Sequence, residues 1–227
     1  MKAEIHCLYW DNTDPRMVEA HQRVMRQFEI PVNYFSENLP HGFWMNEILR
    51  LSEADVIGFL DIDCVPLHKG IIFQLMNFAH QYQSFVGPAQ VSNHLAQVPH
   101  VFAAPSCLFL SKKAYEQLGR PSLIENERAD VAEELSFQAE AQGLRYRAMY
   151  PTRFEHAPEN ELWALGNYGI YGIGTLYDDQ LYHLFQARFS QHLALFLTRC
   201  EQILEGRFDF SQMINARSFK YPEVMNK

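Results

Sequence analysis

Over the first 65 residues the apolar positions alternate between two rhythms. Ile5 to Trp10 is a strand-like run that ends at Asp11-Asn12. Asp14-Pro15 then opens a helix, with Pro in its first turn and Met17, Val18, Val24, Met25 and Phe28 as its apolar positions. Pro31 stops that helix, and Val32 to Phe35 form a second short strand. The loop SENLPHG leads to a helix from about Phe43 to Ala54, with Trp44, Ile48, Leu49 and Leu51 apolar. VIGFL, Val56 to Leu60, follows without polar alternation, as a central parallel strand buried on both faces does. Strand, helix, strand, helix, strand predicts an α/β fold with a mostly parallel, Rossmann-like sheet flanked by helices.

Further along, the pattern predicts a helix over Gly70 to Gln81, a short strand over Ser84 to Gly87 and another over Pro105 to Ser111. That strand runs into a helix at Lys112 to Leu118, closed by Gly119. Asp130 to Gln142 reads as a helix, with Asp130 and Glu133 as a capping pair and Gly143 as its stop. Arg145 to Tyr150 reads as a last strand. Thr152 to Tyr177, rich in Gly, Tyr and Asn, reads as a long loop near a site. Asp179 to Glu205 reads as a long amphipathic helix with Leu181, Leu184, Phe185, Phe189, Leu193, Phe196 and Leu197 along one face. With no repeat and no linker, the expectation is a single domain over residues 1–227. Its core spans about 4–190, and its C-terminal helix and tail span about 179–227.

Composition narrows the function classes. The formal net charge is −8, from 19 basic and 27 acidic residues, and no Lys/Arg run exceeds two, which argues against a nucleic-acid partner. The four cysteines, Cys7, Cys64, Cys107 and Cys200, form no CxxC pair, so reduced buried thiols are expected rather than a zinc knuckle. The N-terminus lacks a secretory apolar region, and no apolar run approaches the ~20 residues of a membrane span, so a cytoplasmic setting is the expectation.

The strand at 56–60 runs straight into Asp61, Ile62 and Asp63. Ligands in such sheets bind beyond the carboxyl ends of the strands, and two carboxylates meeting there repel unless a cation lies between them. All-oxygen ligation by one or two carboxylates plus a diphosphate suits Mg²⁺ or Mn²⁺. A solvated turn is the bland alternative.

Strand-Asp-x-Asp after two strand–helix units resembles the GT-A class of nucleotide-sugar glycosyltransferases. HGFWMNEIL, DIDCVPL, PSCLFLSKKAYEQLG, DVAEELSFQAEAQG and YGIGTLYDDQLYHLFQAR carry the resemblance in order and spacing over about residues 4–190. It implies transfer of a sugar from a nucleotide-diphosphate donor, UDP- or GDP-linked, to a hydroxyl acceptor. Asp63 would hold the metal, and Asp61 would share it or face the ribose. Tyr9, Trp10 and Asp11 would meet the nucleoside, flanked by His41 and Trp44. A late histidine often completes such a metal site, and His183 is the choice, with His156 as rival; Arg188 would meet phosphate. Asp130, Glu133 and Glu134 stand where the class carries its base, although Asp130 serves equally as a helix cap. Glu133-Glu134 replaces the Glu-Asp pair of common inverting enzymes, which leaves inversion and retention both open. By helical spacing His183 lies off the apolar face, where a solvated surface histidine would also lie. Trp163, Tyr168, Tyr171 and Tyr177 would offer sugar-stacking faces in a closing loop.

Two rivals remain. VIGFLDIDCV also resembles the nucleophile motif of haloacid-dehalogenase-like phosphohydrolases, in which the first Asp is phosphorylated and the second is acid/base. That motif usually opens its chain and needs a later lysine, for which Lys112-Lys113 is a weak match. The second rival is a non-catalytic sugar-nucleotide-binding protein of the same fold.

Overall fold

The chain follows the expected alternation through β1 (Ala3–Tyr9), α1 (Pro15–Gln27), β2 (Asn33–Ser36), α2 (His41–Leu51) and β3 (Val56–Leu60). The computed structural model describes residues 1–92, 100–155, 162–165, 170–187 and 190–216. Next come β4 (Cys64–Pro66), α3 (Lys69–Tyr82), β5 (Phe85–Val91), β6 (Val101–Ala103), β7 (Cys107–Ser111), α4 (Lys112–Gln117), α5 (Glu133–Gln142) and β8 (Arg147–Met149). The remainder holds β9 (Pro151–Glu155), β10 (Leu162–Ala164), β11 (Ile170–Gly172), β12 (Gly174–Tyr177), β13 (Leu181–Leu184), α6 (Ser190–Leu204) and β14 (Met213–Asn215).

The larger sheet runs β2-β1-β3-β7-β5-β6, with β8 paired to β5. Strands β2, β1, β3, β5 and β8 share one direction; β7, inserted between β3 and β5, opposes them, as does β6. Both faces are covered, as the unbroken apolar run of β3 requires. Val56 and Leu60 pack with α1, α3 and α6 through Met17, Val24, Ile71, Leu75 and Phe196. Ile57 and Phe59 face the opposite way, onto Trp44, Met45 and Leu49 of α2, Ala114 of α4 and Leu135 of α5. Gly58 lies in the same strand because an added Cβ would come within 2.6 Å of the Phe109 ring.

A second sheet, β14-β9-β12-β13-β4, is antiparallel throughout, and β10-β11 form a separate pair. It replaces two of the expected features. The helix expected from Asp179 starts at Ser190, and residues 174–184 are instead the β12–β13 hairpin. Asp178 and Asp179 both adopt positive φ, 53° and 54°, and the Gln180 N–H donates to the Tyr177 carbonyl at 3.0 Å. The two aspartates are the centre of a tight turn within a three-residue loop, Asp178 to Gln180, that joins Tyr177 to its partner Leu181, and Asp tolerates positive φ better than most residues. The long loop expected over Thr152 to Tyr177 contains β9 and β12 of this sheet.

The α5 start is also corrected. Ala132 takes a left-handed conformation, φ 65°, so the helix begins at Glu133 rather than Asp130. Half of the expected capping pair forms: the Glu133 carboxylate accepts the Asp130 N–H at 2.7 Å, while the Asp130 carboxylate accepts from Val131 N–H at 2.8 Å. Gly143 ends the helix at φ 69°, as expected.

Candidate active site

Both sheets contribute to one point. At the end of β3, the Asp61 N–H donates to the Ser106 carbonyl at 2.9 Å, which ties the strand end to the approach of β7. A tight turn follows, closed by the Cys64 N–H on the Asp61 carbonyl at 3.1 Å, and β4 then leaves for the second sheet. There β13 pairs antiparallel with β4, His183 opposite Cys64, and the Leu184 N–H donates to the Asp63 carbonyl at 3.0 Å. Asp61, Asp63 and His183 therefore converge, with one ligand atom from each lying within 4.8 Å of the others.

His183 is only 4% exposed. Its Nε2 lies 3.3 Å from Asp63 Oδ1, its ring meets Phe185 at 4.0 Å between centroids, and its Nδ1 has no partner among the described residues. Asp61 Oδ1 is 3.6 Å from His41 Nε2. Burial raises the Asp61 carboxyl above the usual carboxylate range, with Asp63 adding to the rise and His41 and His183 opposing it. Two carboxylates and a buried imidazole with an orphaned nitrogen fit a divalent cation that accepts mixed oxygen and nitrogen ligands.

These side chains form one wall of a cavity of about 880 Å³. Asp61, Ile62, Asp63 and His183 line it together with Tyr9 and Trp10 from the end of β1 and Asp130 and Val131 before α5. Four aspartates line it, Asp14, Asp61, Asp63 and Asp130, and no Lys or Arg is among the described lining residues. Such a cavity repels a diphosphate unless a cation joins it. Lys112, the weak match for the lysine of the phosphohydrolase resemblance, donates instead to the Leu49 and Ser52 carbonyls at the far end of β7 and lies outside this cavity's wall.

Several expected site residues lie elsewhere. Trp44 is a core side chain, 3% exposed, set against Phe35, Phe59 and His41. Asp11 lies outside the cavity wall, where its N–H meets Asn38 Oδ1 at 3.2 Å. His41 touches Asp61 without lining the cavity. Glu133 is buried against His100 at 2.8 Å, and Glu134 is ion-paired with Arg128, so of the three carboxylates near α5 only Asp130 reaches the cavity. Tyr171 and Tyr177 are fully buried in the core rather than set in a closing loop. Arg188, His156, Tyr168 and the side chain of Trp163 lie outside the described residues.

Other lining residues were not anticipated: Asn12, Thr13 and Asp14 at the start of α1, Gln90, Phe102, and Phe185 and Gln186 after β13. Gln90 follows from the rule that parallel strands meet ligands at their carboxyl ends, once β5 is seen to run to Val91 rather than stop at Gly87. The residues after β13 carried no such signal, because LYHLF reads equally well as a helix.

Fold and site together describe an α/β protein with an acidic cavity at the carboxyl end of a central strand. No protein-family model matches the chain, and no curated protein matches it. Solved structures with similar folds include A197 from STIV, at 14% identity and a TM-score of 0.45, covering 82% of this chain and 95% of that one. TarS from S. aureus aligns at 11% identity and a TM-score of 0.44, over 91% of this chain and 70% of its own. The catalytic domain of Drosophila beta1,4galactosyltransferase 7 aligns at 12% identity and a TM-score of 0.42, over 64% of each chain. At these values the likenesses carry no weight on activity. No described helix is long and apolar enough to cross a membrane.

Proposed function

We propose that the protein is a metal-dependent glycosyltransferase that moves a sugar from a nucleotide-diphosphate donor to a hydroxyl acceptor. The observation that carries the reading is the cavity wall: Asp61, Asp63 and His183 gathered within 4.8 Å, four lining aspartates, and no Lys or Arg among the described lining residues. Asp61, Asp63 and His183 would hold Mn²⁺ or Mg²⁺, which when bound would supply positive charge to offset that of a diphosphate. Tyr9 and Trp10, the latter 48% exposed at the rim, present aromatic faces to the nucleoside. Asp130 accepts the proton of the acceptor hydroxyl if the reaction inverts. Glu133 and Glu134, turned away from the cavity, take no part.

Thermal unfolding with UDP or GDP, each with and without Mn²⁺, tests this. Nucleotide at 100 times its Kd raises Tm by roughly 5–10 °C for a chain of this size, and the rise requires Mn²⁺. A Mn²⁺-dependent shift without turnover of any nucleotide sugar turns the reading to a non-catalytic binding protein. No shift with any nucleotide, together with hydrolysis of a phosphate ester, overturns it in favour of the phosphohydrolase.

A further inference from the structure

Beneath the carboxylate turn lies a second histidine, which is not part of this cavity's wall. His21, on α1, is fully buried. Its Nε2 lies 3.2 Å from the Cys64 carbonyl and its Nδ1 lies 2.9 Å from the Tyr34 hydroxyl, on β2. The register of β4 explains why that carbonyl needs a partner. Leu184 N–H to Asp63 C=O and Leu67 N–H to Gln180 C=O mark the hydrogen-bonded pairs of the β4–β13 ladder, so Cys64, between them and opposite His183, sits at a non-hydrogen-bonded position. Its carbonyl therefore points away from β13. Because β4 is the last strand of its sheet, no further strand lies there to take it. An unmet buried carbonyl is costly, and His21 is what meets it.

The chemistry fixes the tautomer. A carbonyl only accepts, so His21 Nε2 carries the proton, Nδ1 is bare, and the Tyr34 O–H donates to it. Burial lowers the His21 pKa to about 4, which agrees with a neutral ring. The resulting chain, Tyr34 O–H to His21 to Cys64 C=O, runs from β2 through α1 to the residue adjoining Asp63. Cys64 also closes the Asp61 turn through its own N–H and faces His183 across the ladder, so one residue, held at both its N–H and its C=O, adjoins all three candidate ligands.

We infer that His21 is a positioning residue for the metal site, acting through the Cys64 carbonyl with Tyr34 holding its tautomer. The inference rests on the metal-site reading proposed above. Its test is Mn²⁺ affinity, measured by electron spin resonance of the free ion, on the parent and on His21→Leu, His21→Gln and Tyr34→Phe, beside ¹⁵N-histidine spectra of the parent. His21→Leu, which keeps volume but removes the donor, binds Mn²⁺ ten- to a hundredfold more weakly. His21→Gln places an amide N–H where Nε2 stood and restores affinity to within about threefold, which a purely space-filling role would not predict. Tyr34→Phe gives an intermediate loss, and it carries the test if His21→Leu does not fold. The parent spectra show the Nε2–H tautomer; the Nδ1–H tautomer overturns the inference. Parent-like Mn²⁺ affinity in His21→Leu, or in Tyr34→Phe where His21→Leu does not fold, also overturns it and leaves the metal reading standing. A parent that binds no Mn²⁺ overturns the metal reading and this inference with it.

Discussion

On the five-stranded sheet, Glu155 of β9 is buried and Asp63 beside β4 is partly buried at the cavity wall, and their surroundings are opposite in kind. Glu155 Oε1 accepts from Arg199 Nε and Nη2, both at 2.8 Å, and from the Tyr182 hydroxyl at 3.3 Å. Arg199 Nη1 goes on to the Asp209 carbonyl at 2.7 Å and Gln202 Oε1 at 2.8 Å, so the cation is itself satisfied. Burial still pushes the Glu155 carboxyl above its ordinary range, with Arg199 pulling it back. Asp63 has a second carboxylate as neighbour and only an imidazole at 3.3 Å for counterweight. Strand β13 serves both clusters, sending Tyr182 to one and His183, one residue on, to the other, as the two-residue period of a strand dictates. A closed cluster holds a fold together; an open one, with charge left over, waits for a ligand.

Breaking the closed cluster has the largest expected effect. Arg199→Met leaves Glu155 buried without its cation and costs about 3–5 kcal/mol in urea unfolding, while Mn²⁺ affinity of the folded protein stays within about twofold of the parent. A loss under ~1 kcal/mol would mean that Glu155 finds water or another partner, and the contrast between the clusters would fail. Next in size is an acid effect at His21. Its folded pKa of about 4 lies below the ordinary 6.5, so between those values the unfolded chain binds the extra proton. Stability therefore falls as pH drops from 6.5 towards 4, by about 3 kcal/mol at the limit. The difference between parent and His21→Gln in urea unfolding at pH 7 and pH 4.5 checks it, since the glutamine variant lacks this component.

The same contrast explains what could be read from sequence. The first strand–helix units and the carboxylate turn were legible because VIGFL is apolar at every position but its glycine and Asp61 follows it directly, a pattern that fixes burial and strand end together. His183 was legible only as a residue type. Leu181, Leu184 and Phe185 satisfy a helical spacing as well as a strand, and the long helix beyond Ser190 drew the reading towards itself. The available signal was Asp178-Asp179-Gln180 between TLY and LYH, a short polar stretch of hairpin-loop length between two apolar runs, without the usual glycine. The Glu155–Arg199 pairing, 44 residues apart, was invisible because no local period connects β9 with α6. Trp44 illustrates the converse error: an aromatic near a site in sequence that the helix turns inward.

Opening the open cluster further costs little. Asp63→Asn removes one of two neighbouring like charges, so without metal its unfolding free energy stays level or rises by up to ~1 kcal/mol. Mn²⁺ affinity falls at least tenfold in the same variant. Opposite signs for stability and ligand affinity are what separate a binding carboxylate from a structural one, and destabilisation by more than about 2 kcal/mol would place Asp63 with Glu155.

Between the two extremes stands His100, which donates to Glu133 at 2.8 Å and Glu140 at 3.1 Å when both its nitrogens carry protons. This is a cluster closed by a cation that can be lost. Burial lowers the His100 pKa, but the hydrogen bonds to Glu133 and Glu140, with their charges, outweigh it and leave the pKa raised above 6.5. A raised folded pKa means that the stabilisation is fully present below pH 6.5 and is lost as pH climbs through the raised value, the reverse of His21. The effect is small, about 1 kcal/mol, because the ring lies near the surface at 18% exposure. Unfolding free energies of parent and His100→Gln should differ at pH 6 and converge by pH 9. A constant difference across that range would mean that the neutral ring, stacked on Phe137 at 4.0 Å, supplies the stability by packing alone. The same Glu133 carboxylate accepts the Asp130 N–H, so His100 and a residue of the cavity wall share one partner.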